Sequence, residues 1–362
     1  MKTEIIKVDT AVQDWDKQLD YAAQVLSSGG LVAFPTETVY GLGANALDQT
    51  AVEGIYRAKG RPSDNPLIVH IANTDSVKEL TDSIPFVTTV LMEAFWPGPL
   101  TLVMPKSEKV PDIITAGLDT VAIRMPSHPI AAALIKKSGV PVAAPSANSS
   151  GRPSPTLVKH VIEDLKGKVD VIIDGGISNV GVESTVLDIT VTPPMILRPG
   201  GVTLEQLRSV LGAVCWDPES VDMYTGTSSD ASLAPPRSPG MKYKHYSPNA
   251  ALLLLQGDPE RVAAEISKRA ELYHREGTSI GILNTDETAS FYEPSLHTYC
   301  KIISLGSREN PETLASNLFR CLRDFDEKAV EMIMAEAPDE NGIGQAVMNR
   351  LLKAAGGNII KL

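Results

Sequence analysis

The regular alternation of apolar, strand-like and helix-like segments stops at about Trp216 and does not resume until Ala250. Between these residues Pro, Gly, Ser and Asp dominate, which is typical of a linker and not of a packed element. A chain of 362 residues is also too long for one ordinary hydrophobic core. We therefore predict two domains, 1–213 and 249–362, joined by a linker at 214–248.

Both predicted domains have the pattern of α/β structure. In the first, segments such as 31–34 and 101–104 are short apolar runs that predict buried strands. Several of these strands follow one another without a helix between them, so we expect a mixed sheet. Thr203, followed by Gln206 three residues later, matches a capping box and predicts the start of a helix. The second domain alternates more regularly, which predicts a smaller, parallel α/β domain.

Composition and charge argue against several classes of protein. A hydrophobic share of 43% and a charged share of 21% are those of a soluble globular protein. The net charge of −11 disfavours bulk attraction to nucleic acid, so even a weak RNA contact would need a local basic patch. Three widely spaced cysteines indicate neither a zinc site nor a disulfide framework. Since no signal peptide or membrane-length segment is evident, we expect a cytoplasmic protein with no membrane partner.

Two short segments combine cations with small hydrogen-bonding side chains. Lys59 and Arg61 follow a predicted helix, and a lysine and an arginine at this spacing can clamp one polyphosphate. Solvated cations at a helix end are the alternative explanation of this pair. Ser146 and Asn148 follow the apolar run 140–144 at the end of a predicted strand. The chain contains no P-loop sequence, and without a GxSxG elbow a serine nucleophile is disfavoured.

Other polar groups also lie at the ends of predicted strands, where ligands of α/β proteins often bind. Segment 35–43 follows the first strand and is either a ligand-binding loop or a polar turn with two glycines. Arg124 ends an apolar strand and needs an anionic partner, either a substrate carboxylate or a structural Asp or Glu. His70 is either a ligand contact or a core histidine. With Ser184 and Arg198, these residues are expected to converge on one cleft.

Taken in order along the chain, these segments resemble the threonylcarbamoyl-AMP synthase (YrdC-like) family, in its long form with an extra C-terminal domain. The segments that carry the resemblance are Phe34–Gly43, Lys59-x-Arg61, Asn65–Leu67, Trp96–Thr101, Arg124-x-Pro126, Ser146-x-Asn148, Gly181–Thr185, Leu197–Gly200 and Pro239–Tyr246. Each is weak alone, but the ordered set is specific and spans nearly the whole chain. The resemblance implies a twisted mixed-sheet first domain with a concave, positively charged face, followed by a Rossmann-like second domain.

The resemblance also implies an activity. Members of this family make threonylcarbamoyl-AMP and pyrophosphate from L-threonine, bicarbonate and ATP with Mg²⁺, which makes them nucleotidyltransferases. A tRNA threonylcarbamoyltransferase then uses the product to modify an adenosine of tRNA. We expect Mg²⁺ to be held mainly by phosphates and water. Two alternatives stay open: an RNA-binding or ribosome-associated module of the same fold, and another carbamoyl transferase. A hydrogenase-maturation type of carbamoyl transferase would be expected to carry the cysteine pairs that this sequence lacks.

Transferred residue by residue, the resemblance implies two groups of site residues. The nucleotide group, in which Lys59 and Arg61 are the catalytic cations, comprises Lys59, Arg61, Ser63, Ser146, Asn148, Ser154, Arg198 and His245. The threonine group comprises Thr36, His70, Arg124, Ala144 and Ser184. Arg124 is expected to bind the substrate carboxylate, and Ala144 to act through its backbone. His245 and Tyr246 are expected to cover the site as a lid, because carbamates lose CO₂ readily in water.

Overall fold

The computed structural model describes residues 1–218, 236–237 and 246–362. These residues form two compact units. Those of the first unit are 1–150, 154–218 and 236–237, and those of the second are 151–153 and 246–362. Most of the predicted linker, including the expected lid residue His245, lies outside the described residues. The exact domain boundaries therefore stay a prediction.

One large mixed sheet organises the first unit. Its strands are β1 (Glu4–Lys7), β2 (Val32–Phe34), β3 (Gly41–Asn45), β4 (Ile68–His70), β5 (Leu100–Pro105), β6 (Thr120–Arg124), β7 (Val142–Ala143), β8 (Val171–Asp174), β9 (Thr185–Asp188), β10 (Met195–Arg198) and β11 (Cys215–Trp216). Among the described residues their order is β1-β8-β2-β3-β7-β4-β6-β5-β9-β10-β11. β4 and β6 are parallel whereas β5 and β6 are antiparallel, which confirms the predicted mixed sheet.

Helices join these strands. They are α1 (Asp20–Ser27), α2 (Gln49–Lys59), α3 (Val77–Leu80), α4 (Phe86–Phe95), α5 (Asp112–Thr115), α6 (Pro129–Ser138), α7 (Val158–Leu165) and α8 (Leu204–Leu211). α2 begins where the Asp48 carboxylate accepts hydrogen bonds from the amides of Thr50 and Ala51. It ends at Gly60, whose φ of 63° turns the chain out of the helix. The two predicted polyphosphate cations therefore flank a helix end.

The two faces of the sheet differ. Alternate residues of the central strands, among them Val69, Leu102, Ile123 and Leu187, belong to the main hydrophobic core on one face. Because successive side chains of a strand point to opposite faces, their neighbours lie on the other face. Those neighbours form a small separate cluster of Ile68, Val103, Ala122, Val186 and Leu197. Over these central strands the second face is thus only thinly covered by apolar side chains, and polar groups at the strand ends can gather there. Over β2, β7 and β8 the same face carries a second core that includes Val32, Val142 and Val171.

The strand β3 was not predicted from the sequence. It occupies the end of the polar segment that follows β2 and pairs with β2 on one side and β7 on the other. A Cβ on Gly43 would come within 2.7 Å of a Phe34 ring carbon and 2.8 Å of Val142 Cγ1. Glycine therefore permits the close packing here, but its low strand propensity hides the strand from sequence reasoning.

The second unit is built on a parallel sheet. Its strands are β12 (Ala251–Gln256), β13 (Ile280–Asn284), β14 (Cys300–Ser304), β15 (Met332–Glu336) and β16 (Ile359–Lys361), and its helices are α9 (Pro259–Arg275), α10 (Pro311–Glu327) and α11 (Gly344–Ala354). The strand order is β14-β13-β15-β12-β16, and the pairings are parallel. This confirms the predicted parallel α/β architecture, although the dinucleotide-binding fold has a different strand order. Within the described part of the chain, no helix is long and apolar enough to cross a membrane.

The capping box of α8 offers a test of local structure. Thr203 Oγ1 accepts a hydrogen bond from the Gln206 amide at 3.3 Å, and Gln206 Oε1 accepts one from the Thr203 amide at 2.8 Å. Thr203→Ala removes the first bond, so we expect the free energy of unfolding to fall by about 1 kcal/mol. Urea denaturation measures this change. Thr203→Ser keeps the hydroxyl and should unfold like the native chain. An equal loss of free energy of unfolding in both variants would therefore contradict the capping role of the Thr203 hydroxyl.

Candidate active site

Lys59 connects the end of α2 to the loop that follows β7. Its Nζ donates hydrogen bonds to the backbone carbonyls of Ser146 and Asn148, both at 2.5 Å, and lies 3.4 Å from Asn148 Oδ1. Lys59 is only 4% exposed. The structure therefore brings three residues of the predicted nucleotide group together. It also gives the lysine a role that the sequence did not suggest, since its ammonium fixes the shape of this loop.

The loop lies beside the turn that follows β2. Ser146 Oγ donates to Asn148 Oδ1 at 2.5 Å, and Ser146 pairs with Gly41 in an isolated antiparallel bridge. The Ala147 amide donates to the Tyr40 carbonyl at 2.8 Å. These bonds attach the loop containing Ser146 and Asn148 to the segment that contains Thr36, so the two predicted groups of residues adjoin.

Arg61 and Asn65 lie in one turn after α2. Arg61 is half-buried, and its Nη2 donates to the backbone carbonyls of Asn65 at 3.3 Å and Pro66 at 3.1 Å. Asn65 is 1% exposed, and neither polar atom of its side chain has a hydrogen-bond partner among the described residues. Ser63 is exposed in the same turn. The motif that contains Asn65 predicts no role for it, but its buried, unpaired amide marks it as a candidate contact.

Arg124, at the end of β6, forms a buried ion pair. Its Nη2 donates to Glu37 Oε1 at 2.6 Å, its Nη1 to Thr38 Oγ1 at 2.9 Å and its Nε to the Gly98 carbonyl at 3.2 Å. Of the two anionic partners considered for Arg124, a structural glutamate is thus present. Burial raises the pKa of Glu37, but the charge of Arg124 and its hydrogen bond outweigh this effect and hold the pKa below its usual value. Glu37 is therefore ionised at neutral pH.

His70 is a neutral neighbour of this ion pair. It lies opposite Arg124 in the register of β4 and β6, so both side chains point to the thinly covered face of the sheet. Burial, together with the charge of Arg124, lowers the pKa of His70 to about 3. Its Nδ1 is buried and has no hydrogen-bond partner in the part of the chain that the structure describes. A neutral imidazole of this kind can either donate or accept a hydrogen bond.

Thr36 shapes the turn that presents Glu37. Its hydroxyl donates to the Val39 carbonyl at 2.6 Å and accepts hydrogen bonds from the amides of Thr38 at 3.2 Å and Val39 at 3.3 Å. A local side-chain bond to the backbone such as this is typical of Ser and Thr in turns. In this conformation Thr36 is occupied with the turn, and its predicted contact with threonine stays a prediction.

Ser184 and Arg198 link the two predicted groups a second time. Arg198 Nη2 donates to the Ser184 carbonyl at 2.9 Å and lies 3.3 Å from Ser184 Oγ. Ser184 Oγ is also 2.7 Å from Thr101 Oγ1, and all three residues are buried. Sequence reasoning gave Thr101 no role, because only the register of β5 and β6 shows that it lies opposite Arg124.

The remaining predicted residues are placed as follows. Ser154 is buried and donates to Glu183 Oε1 at 2.6 Å. The Ala144 amide donates to the Ile68 carbonyl at 3.0 Å, so a backbone contact from Ala144 to a substrate would have to use its carbonyl. Tyr246 belongs to the second unit, where its ring stacks on Phe319 at 5.2 Å between centroids. The predicted lid therefore stays untested.

The residues present do not form a metal cage. Among the described residues there is no group of three or more His, Cys, Asp or Glu side chains that could hold a metal ion. Mg²⁺ prefers octahedral oxygen ligands and often keeps water molecules and substrate phosphates among them. We therefore assign no protein ligand to Mg²⁺.

The buried neutral state of His70 makes a prediction about pH. Between pH 6.5 and about 3 the unfolded chain binds a proton at His70 that the folded chain does not bind. The contribution of this group therefore lowers the free energy of unfolding as the pH falls, by at most about 1.4 kcal/mol per pH unit. We expect His70→Gln to reduce the slope of stability against pH in this window, measured by urea denaturation. An unchanged slope would contradict the claim that His70 is neutral in the folded chain.

Comparisons with known proteins show the family of this chain. A family model described as "Telomere recombination", for the group of Sua5, YciO and YrdC, matches residues 24–200, and one described as "Threonylcarbamoyl-AMP synthase, C-terminal domain" matches residues 202–356. The threonylcarbamoyl-AMP synthase of Pyrococcus abyssi (strain GE5 / Orsay) is 48% identical over 99% of this chain and 100% of its own length. That of Bacillus subtilis (strain 168) is 48% identical over 100% of both chains.

A solved structure gives the same result. The crystal structure of P. abyssi Sua5 complexed with L-threonine superimposes with a TM-score of 0.90 at 47% identity, covering 99% of this chain and 100% of that one. These matches extend over nearly the whole chain and confirm the resemblance that its motifs indicated. The chain belongs to the threonylcarbamoyl-AMP synthase family.

Proposed function

We propose that this chain is a nucleotidyltransferase that converts L-threonine, bicarbonate and ATP to threonylcarbamoyl-AMP and pyrophosphate. One observation carries the proposal: the residues around Lys59 and the residues around Arg124 adjoin on neighbouring strands of the first unit. Lys59 is joined to the loop after β7, and β7 is separated from Arg124 on β6 only by β4. Full-length relatives with the name of this activity support the same assignment.

The group around Arg124 suits the substrate threonine. A guanidinium has five N–H donors, and three of those on Arg124 bond to described residues. The other two can bind a carboxylate, which an arginine holds with a planar fork. Neutral His70 and the hydroxyl of Ser184 are suited to the threonine hydroxyl. Because these side chains are buried, hydrogen bonds to them compete little with water.

The group around Lys59 suits the triphosphate. The loop that Lys59 holds ends in Ser146 and Asn148, and Arg61 and the unpaired amide of Asn65 lie beyond the same helix end. A buried amide without a partner is unfavourable, and a polar group of a bound nucleotide would supply one. Cations that are already in place can stabilise the charge that develops on departing pyrophosphate.

The reaction needs no covalent bond to the protein. The threonine amine adds to CO₂ derived from bicarbonate and loses a proton, which gives a carbamate. A carbamate oxygen then attacks the α-phosphorus of ATP, forming the new oxygen–phosphorus bond while the bond to pyrophosphate breaks. Positioning of the two substrates by Arg124 and by the Lys59 loop supplies the catalysis. Since the product is a reactive mixed anhydride, we also propose that a downstream tRNA threonylcarbamoyltransferase transfers its threonylcarbamoyl group to an adenosine of tRNA. Magnesium would accompany ATP as its phosphate complex.

A pyrophosphate-release assay with ATP, bicarbonate and threonine tests the proposal. We expect Lys59→Ala and Arg61→Ala to lower the threonine-dependent rate by about 100-fold or more, because each removes a preorganised positive charge or the loop that it holds. Arg57→Ala is the matched control, since Arg57 is an exposed cation in the last turn of the same helix. It should keep the native rate.

Two results would contradict the proposal. One is pyrophosphate release by the native chain that does not depend on threonine. The other is a near-native rate in both the Lys59 and the Arg61 variants. A thermal melt of each variant, compared with that of Arg57→Ala, separates a loss of chemistry from a loss of folding.

A further inference from the structure

Glu37 carries a buried carboxylate oxygen that the fold does not satisfy. Its Oε1 accepts the hydrogen bond from Arg124, but its Oε2 is buried and has no hydrogen-bond partner among the described residues. The side chain is only 12% exposed, so bulk water does not replace the missing partner. A buried anionic oxygen without a donor is costly, and such a position usually belongs to a network that a ligand completes.

Among the described residues, the surroundings of Glu37 do not supply a second positive charge. His70 and His128 lie near it, but burial lowers the pKa of both, so both imidazoles are neutral at pH 7. Thr38 bonds to Arg124. The backbone amides of Glu37 and Ser127 lower the pKa of the Glu37 carboxyl, but no described residue makes a hydrogen bond of ordinary geometry to its Oε2. Arg124 and Glu37 are therefore a dipolar pair in the described part of the site, with an N–H donor open on one side and an oxygen open on the other.

This inference rests on the proposed function and names a residue to which neither the motifs nor the comparisons gave a role. We propose that Glu37 is a threonine-binding residue whose Oε2 accepts a hydrogen bond from the α-ammonium group, while Arg124 binds the α-carboxylate. An α-amino acid carries its ammonium and carboxylate on one carbon, so a zwitterion is complementary to an arginine and a glutamate that are 2.6 Å apart. Together the pair selects α-amino acids over hydroxy acids and over amines without a carboxylate.

A purely structural role for Glu37 makes a different prediction. If Glu37 only holds Arg124 in position, its loss weakens the binding of the carboxylate and leaves the binding of the ammonium unchanged. The two roles are therefore separated by ligands that carry only one of the two charges. L-Threoninol has the ammonium without the carboxylate, and 2,3-dihydroxybutyrate has the carboxylate without the ammonium.

The experiment measures dissociation constants by titration calorimetry on the full-length chain, with a non-hydrolysable ATP analogue present. We expect Glu37→Gln to bind L-threonine and L-threoninol about 10- to 100-fold more weakly, because a charge-assisted hydrogen bond is lost. Its affinity for 2,3-dihydroxybutyrate should stay the same or rise. Glu53→Gln removes an equal charge from an exposed site on α2 and should change none of the three affinities.

The opposite pattern overturns the inference. It is overturned if Glu37→Gln loses affinity for dihydroxybutyrate but keeps its affinity for threoninol. If Glu37→Gln does not fold, Glu37→Asp keeps the charge and must keep the preference for threonine over dihydroxybutyrate; loss of that preference also overturns it. Pyrophosphate release by the native chain is scored separately. Suppose that the native chain releases pyrophosphate only with threonine, but that Glu37→Gln binds threonine and threoninol as tightly as the native chain does. This inference is then refuted, and the proposed function is left intact.

Discussion

The buried ion pair between Arg124 and Glu37 is the interaction on which the rest of the first unit's site depends. It ties the end of β6 to the turn after β2, two segments that are far apart in the chain. Removal of one partner of such a pair typically costs about 3–5 kcal/mol, because the other charge is left buried and alone. Thr38 strengthens the same connection by accepting a hydrogen bond from Arg124, and Thr36 stabilises the turn itself. The pair thus fixes the geometry that a substrate carboxylate would meet.

The unequal faces of the sheet explain why polar groups can gather there. The main core occupies one face, while over the central strands the other face carries only a small apolar cluster beside His70 and Arg124. Polar side chains at the strand ends therefore have room to converge, and burial by neighbouring elements gives them a low-dielectric environment. In the same environment burial and the charge of Arg124 keep His70 neutral.

Sequence reasoning predicted the elements better than the contacts. The mixed and parallel character of the two sheets and the capping box at Thr203 follow from local patterns, and the structure bears them out. The break after Trp216 lies mostly outside the described residues and stays a prediction. β3 was missed because glycine packing, not propensity, produces it. The partners of Arg124 and Ser184 could not be read from spacing either. Glu37 lies 87 residues from Arg124, and pairing over such a distance depends on the strand register.

The identity of the product tests the central claim most directly. The native chain is incubated with ATP, L-threonine and isotopically labelled bicarbonate, and the nucleotide products are analysed by mass spectrometry. We predict an adenylate with the mass of threonylcarbamoyl-AMP that carries the label, and its absence when threonine or bicarbonate is omitted. An unlabelled threonyl adenylate, or pyrophosphate release without any labelled adenylate, would contradict the account.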